Sequence, residues 1–230
     1  NRLSGIIAAA RSYGAEETKA IDWMSLLARP QEISILRSTI GRFWNDTWIL
    51  TGNEEIDNIY QLVGRDRPPD MLFGDRPIAD RSIDALTKEI QSTTEKKIKK
   101  IVQFGIEQGA SNQEIAEQLE RSAAFRPSRA RLIAQTETTS AINRATNQAY
   151  VRFQEEEDDV EILKQWIASD DENVRPLHKK LADKDPIPVD DDFKISGYRG
   201  PAPAAFSDAP EMNINCRCTI APIVQIKDDQ

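Results

Sequence analysis

The residues best suited to chemistry lie in the last quarter of the chain. His178 is the only histidine, and Cys216 and Cys218 are the only cysteines, among 230 residues. Two thiolates and one imidazole are ligands that zinc prefers, and Asp170 or Asp183 could add a carboxylate oxygen. The residue types therefore admit a zinc site, although the usual Cys-x-x-Cys spacing is absent.

A structural role for the two thiols is the alternative. If Cys216 and Cys218 lie in a strand, their side chains point to the same side, and a disulfide across one intervening residue is geometrically poor. They would then be two small buried thiols that face Trp166 and a hydrogen-bonded His178. In this interpretation the segment closes its domain, so replacing either thiol by serine lowers stability and removes no activity.

Arg217 lies between the two thiols. In a strand its side chain points away from them, where it can pair with an acid such as Asp170 or Glu137. On a helix, Arg129, Glu137 and Arg144 share a face, so Glu137 can also pair with Arg144 or reach Arg175. A structural ion pair is a simpler interpretation of Glu137 than a catalytic carboxylate.

A hydrolytic site is the third interpretation of the same region. Arg175 and His178 are one helical turn apart, and Asp170 precedes that helix. An acid, a cation and an imidazole are ingredients of phosphoester chemistry. The sequence lacks a Gly-rich phosphate loop, a nucleophile elbow and a second carboxylate pair for two metals. A metal-dependent hydrolase or nuclease using these residues and the two thiols is therefore the alternative to a protein without enzymatic activity.

Most of the chain is expected to be helical. Apolar residues recur at three- and four-residue steps up to about residue 154. The Gly52-Asn53 pair is expected to end one helix, and Arg65–Pro77 to form a loop. Ser111 and Glu114 have the spacing of a capping box, which opens the next helix. A last long helix is predicted over residues 128–154.

The C-terminal part is expected to contain a few strands. The acidic run at residues 155–159 should end the long helix in solvent. Ile162–Ile167, Phe193–Ile195 and Asn213–Val224 are predicted strands, Asn173–Ala182 is a predicted short helix, and proline and glycine between them predict long irregular loops. The fold class is therefore α+β, with a mainly helical N-terminal region followed by a small α+β C-terminal domain.

Charge and composition narrow the function classes. A net charge of −8 argues against a free DNA-binding regulator, because phosphate binding depends on Lys and Arg. The charge is uneven: residues 121–152 carry +5 and residues 153–192 carry −9. The apolar runs are too short for a membrane span, and two cysteines suit assembly in a reducing cytoplasm.

An ordered set of motifs covers about Arg129 to Pro222. It begins with the helical stretch 129–137, in which Ala-Gln-Thr-Glu ends at Glu137, and it ends with Asn-Cys-Arg-Cys at residues 215–218. This set resembles the Mu F-like minor head protein family of tailed phages. The residues that carry the resemblance are Arg129, Thr136, Glu137, Asn143, Trp166, Asp170, Arg175, His178, Asn215, Cys216, Arg217 and Cys218.

Two positions depart from the family pattern. Gln135 stands where the family usually has arginine, so the role of that cation is lost or moved. Ala182-Asp183-Lys184 stands where members often carry a glycine, which leaves the loop conformation open.

The resemblance implies a structural role without enzymatic activity. The chain would be bound to the portal, the major capsid protein or both in the interior of the virion head, after assembly in the bacterial cytoplasm. It would act in head assembly and in packaging or delivery of DNA. Residues 1–110 would be a helical region that faces portal or capsid, and residues 111–230 the Mu F-like domain, with the helix at 128–154 and an α+β part at 160–226.

We predict that any DNA contact is weak, independent of base sequence and centred on the local excess of arginine. Because counterions released from the phosphates drive such binding, affinity should fall steeply between low and physiological salt. Fluorescence anisotropy with two unrelated duplexes measures this; binding that ignores salt or prefers one duplex would refute it. The candidate residues are Arg121, Arg126, Arg129, Arg131, Arg144 and Arg152.

Overall fold

A computed structural model describes residues 30–74, 80–122 and 127–227. Within these ranges the helical part consists of α1 (Pro30–Leu62), α2 (Asp80–Glu107), α3 (Asn112–Arg121) and α4 (Pro127–Glu156). The mixed part consists of β1 (Val160–Ile167), α5 (Pro176–Ala182), β2 (Ile187–Pro188), β3 (Phe193–Ile195), β4 (Tyr198–Gly200), α6 (Pro210–Asn213) and β5 (Thr219–Ile226). The predicted α+β class, with helices first and strands last, is confirmed.

The chain divides into two compact units, each built from two segments. The first is Asn1–Arg42 with Pro77–Arg131, and the second is Phe43–Arg76 with Leu132–Gln230. The chain passes from one unit to the other three times: within α1, between α1 and α2, and within α4. The predicted division into residues 1–110 and 111–230 was based on the sequence motifs, and it stays a prediction.

In the first unit, α2 and α3 pack closely. A Cβ atom at Gly105 would lie 2.6 Å from Ile115 Cγ1, so glycine allows the helices to approach. The predicted capping box is confirmed: Ser111 Oγ accepts a hydrogen bond from the Glu114 N–H, and the Glu114 carboxylate accepts one from the Ser111 N–H at 2.7 Å. These contacts satisfy backbone donors at the start of α3.

In the second unit, β1 is the central strand of an antiparallel sheet with the order β2-β1-β5. Trp166 on β1 lies opposite Ile220 on β5, and both side chains are buried. Strands β3 and β4 form a separate hairpin. Alternate residues of β1 therefore face a core that also contains side chains from α1, α4 and the loops.

The helix predicted to end at Gly52-Asn53 continues to Leu62, so that prediction is wrong. Gly52 is present because of packing: a Cβ atom there would lie 2.0 Å from the Phe73 ring. The Asn53 side chain donates to Phe73 O at 3.0 Å and accepts from the Phe73 N–H at 3.1 Å. Both residues therefore hold the following loop against the helix instead of ending it.

The acidic run at residues 155–159 was expected to lie in solvent, but two of its carboxylates are paired with other residues. Arg65 forms ion pairs with Glu157 and Asp159, and Tyr60 donates a hydrogen bond to Glu157 at 2.9 Å. Burial, followed by the neighbouring Glu157 carboxylate, raises the pKa of Tyr60 to about 12. The end of α4 is therefore fixed to the end of α1 and the residues after it.

Lys164 is a fully buried cation in the centre of the sheet. Its Nζ donates to Asn147 Oδ1 at 2.7 Å, Val189 O at 2.8 Å and Pro201 O at 2.9 Å. Burial lowers the pKa of Lys164 to about 8, because removing the charged ammonium group from water costs more free energy than removing the neutral amine. The side chain joins β1 to α4 and to two loops.

The predicted C-terminal elements are confirmed in part. β1 and β3 occur where expected, but the short helix begins at Pro176 and not at Asn173. The strand expected from Asn213 begins only at Thr219, and β2 and β4 occupy stretches expected to be loops. Such short strands lack enough alternating residues to give a signal in the sequence. None of the described helices could cross a membrane.

We predict that Gly52→Ala destabilises the protein by about 1–3 kcal/mol, because the new methyl group overlaps the Phe73 ring. Gly41→Ala in the same helix is the matched control. There a Cβ would lie 3.5 Å from Ile83, an ordinary contact, so better helix propensity should add up to about 1 kcal/mol. Urea unfolding of both variants measures the difference, and equal changes in the two variants would contradict the packing argument.

Candidate functional site

The two thiols and the only histidine meet in the interior of the second unit. His178 Nδ1 lies 3.7 Å from Cys216 Sγ and 3.5 Å from Cys218 Sγ. The three ligand atoms lie within 4.8 Å of one another, and the three side chains are at most 3% exposed. The expectation that the thiols face His178 therefore agrees with the observed geometry. Both cysteines are free thiols.

Two local structures bring these side chains together. Pro176 begins α5 and places His178 in the first turn, on the buried side of the helix. The cysteines lie in the Asn215–Cys218 segment before β5, where Asn215 has a φ of +57°. Asparagine tolerates this left-handed conformation better than most residues. The cysteines lie just before β5 and not in a strand as predicted, but burial alternates from Cys216 through the exposed Arg217 to Cys218, so both thiols face the interior.

Trp166 covers the histidine from the sheet. Its ring lies 5.2 Å from the His178 ring at an interplanar angle of 71°. Phe193 and Phe206 pack edge-on against the other parts of Trp166, at centroid distances of 5.2 and 5.8 Å. The candidate ligands therefore lie beside an aromatic cluster in a region of low polarity, where charge on them must be compensated.

Helix α4 holds the backbone of the segment that contains the thiols. Thr136 Oγ1 accepts a hydrogen bond from the Asn215 N–H at 2.9 Å and donates to Leu132 O at 2.8 Å. Asn143 Nδ2 donates to Cys218 O at 3.0 Å. Both side chains are buried. These two members of the sequence motif therefore position the turn that carries Cys216 and Cys218.

Backbone hydrogen bonds also reach the sulfur atoms. The backbone N–H of Ser169 donates to the Cys218 sulfur. The backbone N–H groups of Ala204 and Cys218 donate to the Cys216 sulfur. The hydrogen bond from the Cys216 thiol, assisted by His178, lowers the pKa of Cys218 although burial opposes this. The same hydrogen bond, together with burial, raises the pKa of Cys216.

The acid that pairs with Arg217 is Asp171, a residue that sequence reasoning missed. Arg217 Nη2 donates to Asp171 Oδ1 at 2.9 Å, whereas Asp170 and Glu137 had been expected as partners. Asp171 also accepts a hydrogen bond from the Asn173 N–H at 2.8 Å, so it closes the turn before α5. Neighbouring acids in a loop cannot be told apart by sequence alone, because a turn decides which one points inward.

The proposed hydrolytic set does not come together among the described residues. Asp170 and Asp183 are exposed, and neither belongs to the group formed by His178 and the thiols. Arg175 donates to Ile214 O at 2.5 Å, which engages its guanidinium in the fold. A surface depression of about 400 Å³ contains none of the motif residues; it is lined by Glu55, Asn58, Gln61, Leu62 and Pro222.

The arginines proposed to face DNA are distributed over both units. Arg129 donates to Thr94 and Thr93 at 2.9 and 2.7 Å, Arg121 pairs with Glu117 at 3.5 Å, and Arg152 donates to Leu72 O. Arg131 is exposed, and Arg144 donates to Ser140 Oγ at 3.4 Å while Glu137 stabilises its charge. Arg126 lies outside the described residues. Four of these side chains therefore have partners within the protein.

The described parts define a protein of helices followed by a small α+β region that closes around a buried Cys–His–Cys cluster. The model of a family described as Phage Mu protein F like protein matches residues 96–221, which is more than half of the chain. The chain therefore belongs to the Phage Mu protein F like family, a family of phage head morphogenesis proteins. The resemblance found in the sequence motifs is confirmed.

The chain is also similar to a curated protein of Enterococcus faecalis that is named NAD(+)--arginine ADP-ribosyltransferase EFV. The two are 27% identical over 148 residues, which are 64% of this chain and 30% of that protein. The similarity thus spans less than a third of the relative's length. No solved structure matches the chain.

We predict that Thr136→Val destabilises the protein by about 0.5–1.5 kcal/mol, because the part-buried Asn215 N–H loses its acceptor while the side-chain shape is kept. Thr136→Ser retains the hydroxyl and is the control; it should lose less. Thermal and urea unfolding of the two variants measure the effect. A valine variant as stable as the serine variant would show that this hydrogen bond does not hold the turn.

Proposed function

We propose that this chain is a minor head protein that binds the portal or the inner surface of the capsid and acts there without enzymatic activity. Membership of the phage head family supports the setting. Attachment to portal or capsid, assembly in the host cytoplasm and a place in the head interior are part of the proposal, and the family resemblance supports them. The proposed role is structural, in head assembly and in the packaging or delivery of DNA.

The observation that carries the structural role is how the motif residues are used. Thr136 and Asn143 hold the turn with the thiols, Arg217 pairs with Asp171, and Arg175 bonds to Ile214 O. Each of these polar groups is engaged in joining one part of the second unit to another. Side chains used in this way stabilise a shape, whereas catalytic groups need access to a substrate.

The ADP-ribosyltransferase name provides a specific enzymatic alternative. It belongs to a relative of which the similar stretch is 30%, so that activity can reside in the remainder of that protein. The hydrolase alternative would need Asp170 and Arg175 at the buried ligands, but Asp170 is exposed and Arg175 is bonded elsewhere. We therefore assign neither activity to this chain.

We predict that deleting the gene from a phage or prophage that carries it reduces the number of infectious particles, and that the protein copurifies with portal-containing heads. Electron microscopy of the lysate, with immunodetection on purified heads, measures both. Expression of the wild-type chain or of Thr136→Ser in trans should restore infectivity. Fully infectious heads that lack the protein would reject the proposal.

An activity assay separates the enzymatic alternatives. The purified chain is incubated with NAD+ and an arginine substrate, and separately with duplex DNA and divalent metal ions. We expect no release of nicotinamide and no DNA cleavage. Turnover in either reaction that is absent from the Cys218→Ser variant would replace the structural role with the corresponding enzymatic one.

A further inference from the structure

We propose that His178, Cys216 and Cys218 bind one Zn²⁺ ion that fixes the end of the second unit. The proposal concerns the isolated chain and does not depend on its place in a phage head. All three ligands belong to the same compact unit, and no movement between units is needed to form the site.

The distances between the candidate ligand atoms fit a tetrahedral zinc ion. Bonds of about 2.05 Å to nitrogen and 2.3 Å to sulfur place the two ligand atoms about 3.6 Å apart at a tetrahedral angle. The observed distances from His178 Nδ1 to the two sulfurs are 3.5 and 3.7 Å. The ion would therefore require little rearrangement of these side chains.

Hydrogen bonding alone satisfies this geometry poorly. His178 Nδ1 faces both sulfurs, but one N–H cannot point directly at two acceptors, and one lone pair cannot fully accept two S–H groups. A metal ion located between the three atoms contacts each of them along its lone pair. The cluster is thus better suited to a shared cation than to a shared proton.

Charge compensation gives an independent argument. The backbone hydrogen bonds to the sulfurs come from Ser169, Ala204 and Cys218, and such donors favour sulfur atoms that carry negative charge. Two thiolates beside the aromatic cluster around Trp166 would need two positive charges nearby. A divalent ion with two thiolates and a neutral imidazole has no net charge.

Two residues in the turns around the site have left-handed backbone conformations, which non-glycine residues rarely adopt. Ala204, whose N–H points toward Cys216, has a φ of +56°, and Asn215 has a φ of +57°. Nearby, Gly200 lets the backbone approach closely, since a Cβ there would lie 2.7 Å from Phe206 Cα. Backbone strain of this kind concentrates at binding sites, where it fixes groups in one arrangement.

Three protein ligands leave one position of a tetrahedral zinc ion for a small ligand such as water. Asp170 and Asp183 had been considered for this place, but neither joins the group of described ligands. The three ligands are nearly fully buried, so the fourth ligand must be small. Two thiolates and an imidazole also favour zinc over magnesium or calcium, which prefer oxygen ligands.

The metal content of the full chain tests the proposal directly. The protein is expressed without a histidine tag, purified without chelator, and analysed by inductively coupled plasma mass spectrometry. We expect close to one zinc per chain in wild-type protein and in Asp170→Asn, the matched control for a nearby exposed residue. Cys216→Ser, Cys218→Ser and His178→Gln should each lose most of the zinc.

Two measurements on wild-type protein cover the case in which the ligand variants fail to fold. A strong chelator should lower Tm on the order of 10 °C, and added Zn²⁺ should restore it. Replacement of zinc by Co²⁺ should produce a sulfur-to-cobalt charge-transfer band. A folded wild-type chain that takes up no zinc on reconstitution, shows no such band and keeps its Tm in chelator would overturn the proposal. Failure in the phage assay would leave these measurements unaffected.

Discussion

The hydrogen bonds from α4 to the Asn215–Cys218 segment are the contact on which the rest of the site depends. This segment belongs to neither a helix nor a strand, so its buried backbone groups need partners from elsewhere. Thr136 and Asn143 supply two of them, at 2.9 and 3.0 Å. With that backbone fixed, the thiols face His178, Arg217 faces Asp171, and β5 can enter the sheet beside β1.

Lys164 has a comparable function two residues before Trp166, on the same buried face of β1. It bonds to the carbonyl groups of Val189 and Pro201, in two loops that contain little regular structure of their own. The second loop leads into Ala204, whose backbone reaches Cys216. A buried ammonium group is costly to desolvate, but three oxygen acceptors compensate it and give the loops defined positions. The Lys-x-Trp pattern of β1 therefore combines a polar contact with an apolar one.

The sequence was most informative where a local signal agreed with the final packing. Apolar periodicity located the long helices, the Ser111–Glu114 spacing located a helix start, and the Cys-x-Cys pattern placed two sulfurs on one side. It was misleading at Gly52, because the reason for that glycine is the ring of Phe73, which is distant in sequence. It likewise could not distinguish Asp171 from Asp170 or detect the backbone groups around Cys216. Those features arise from turns, whose conformation depends on tertiary contacts.

The interleaving of the two units has a consequence for folding during synthesis. The core of the second unit includes Trp48, Ile56, Ile59, Tyr60 and Phe73 from the N-terminal half, together with Trp166 and Ile220. Until the ribosome has synthesised β5, the core side chains from the N-terminal half lack part of the surface that buries them. More than a hundred residues must be translated before that surface is complete. The family-matched stretch at residues 96–221 does not contain them. An excised fragment with those limits would therefore expose apolar surface that the whole chain buries.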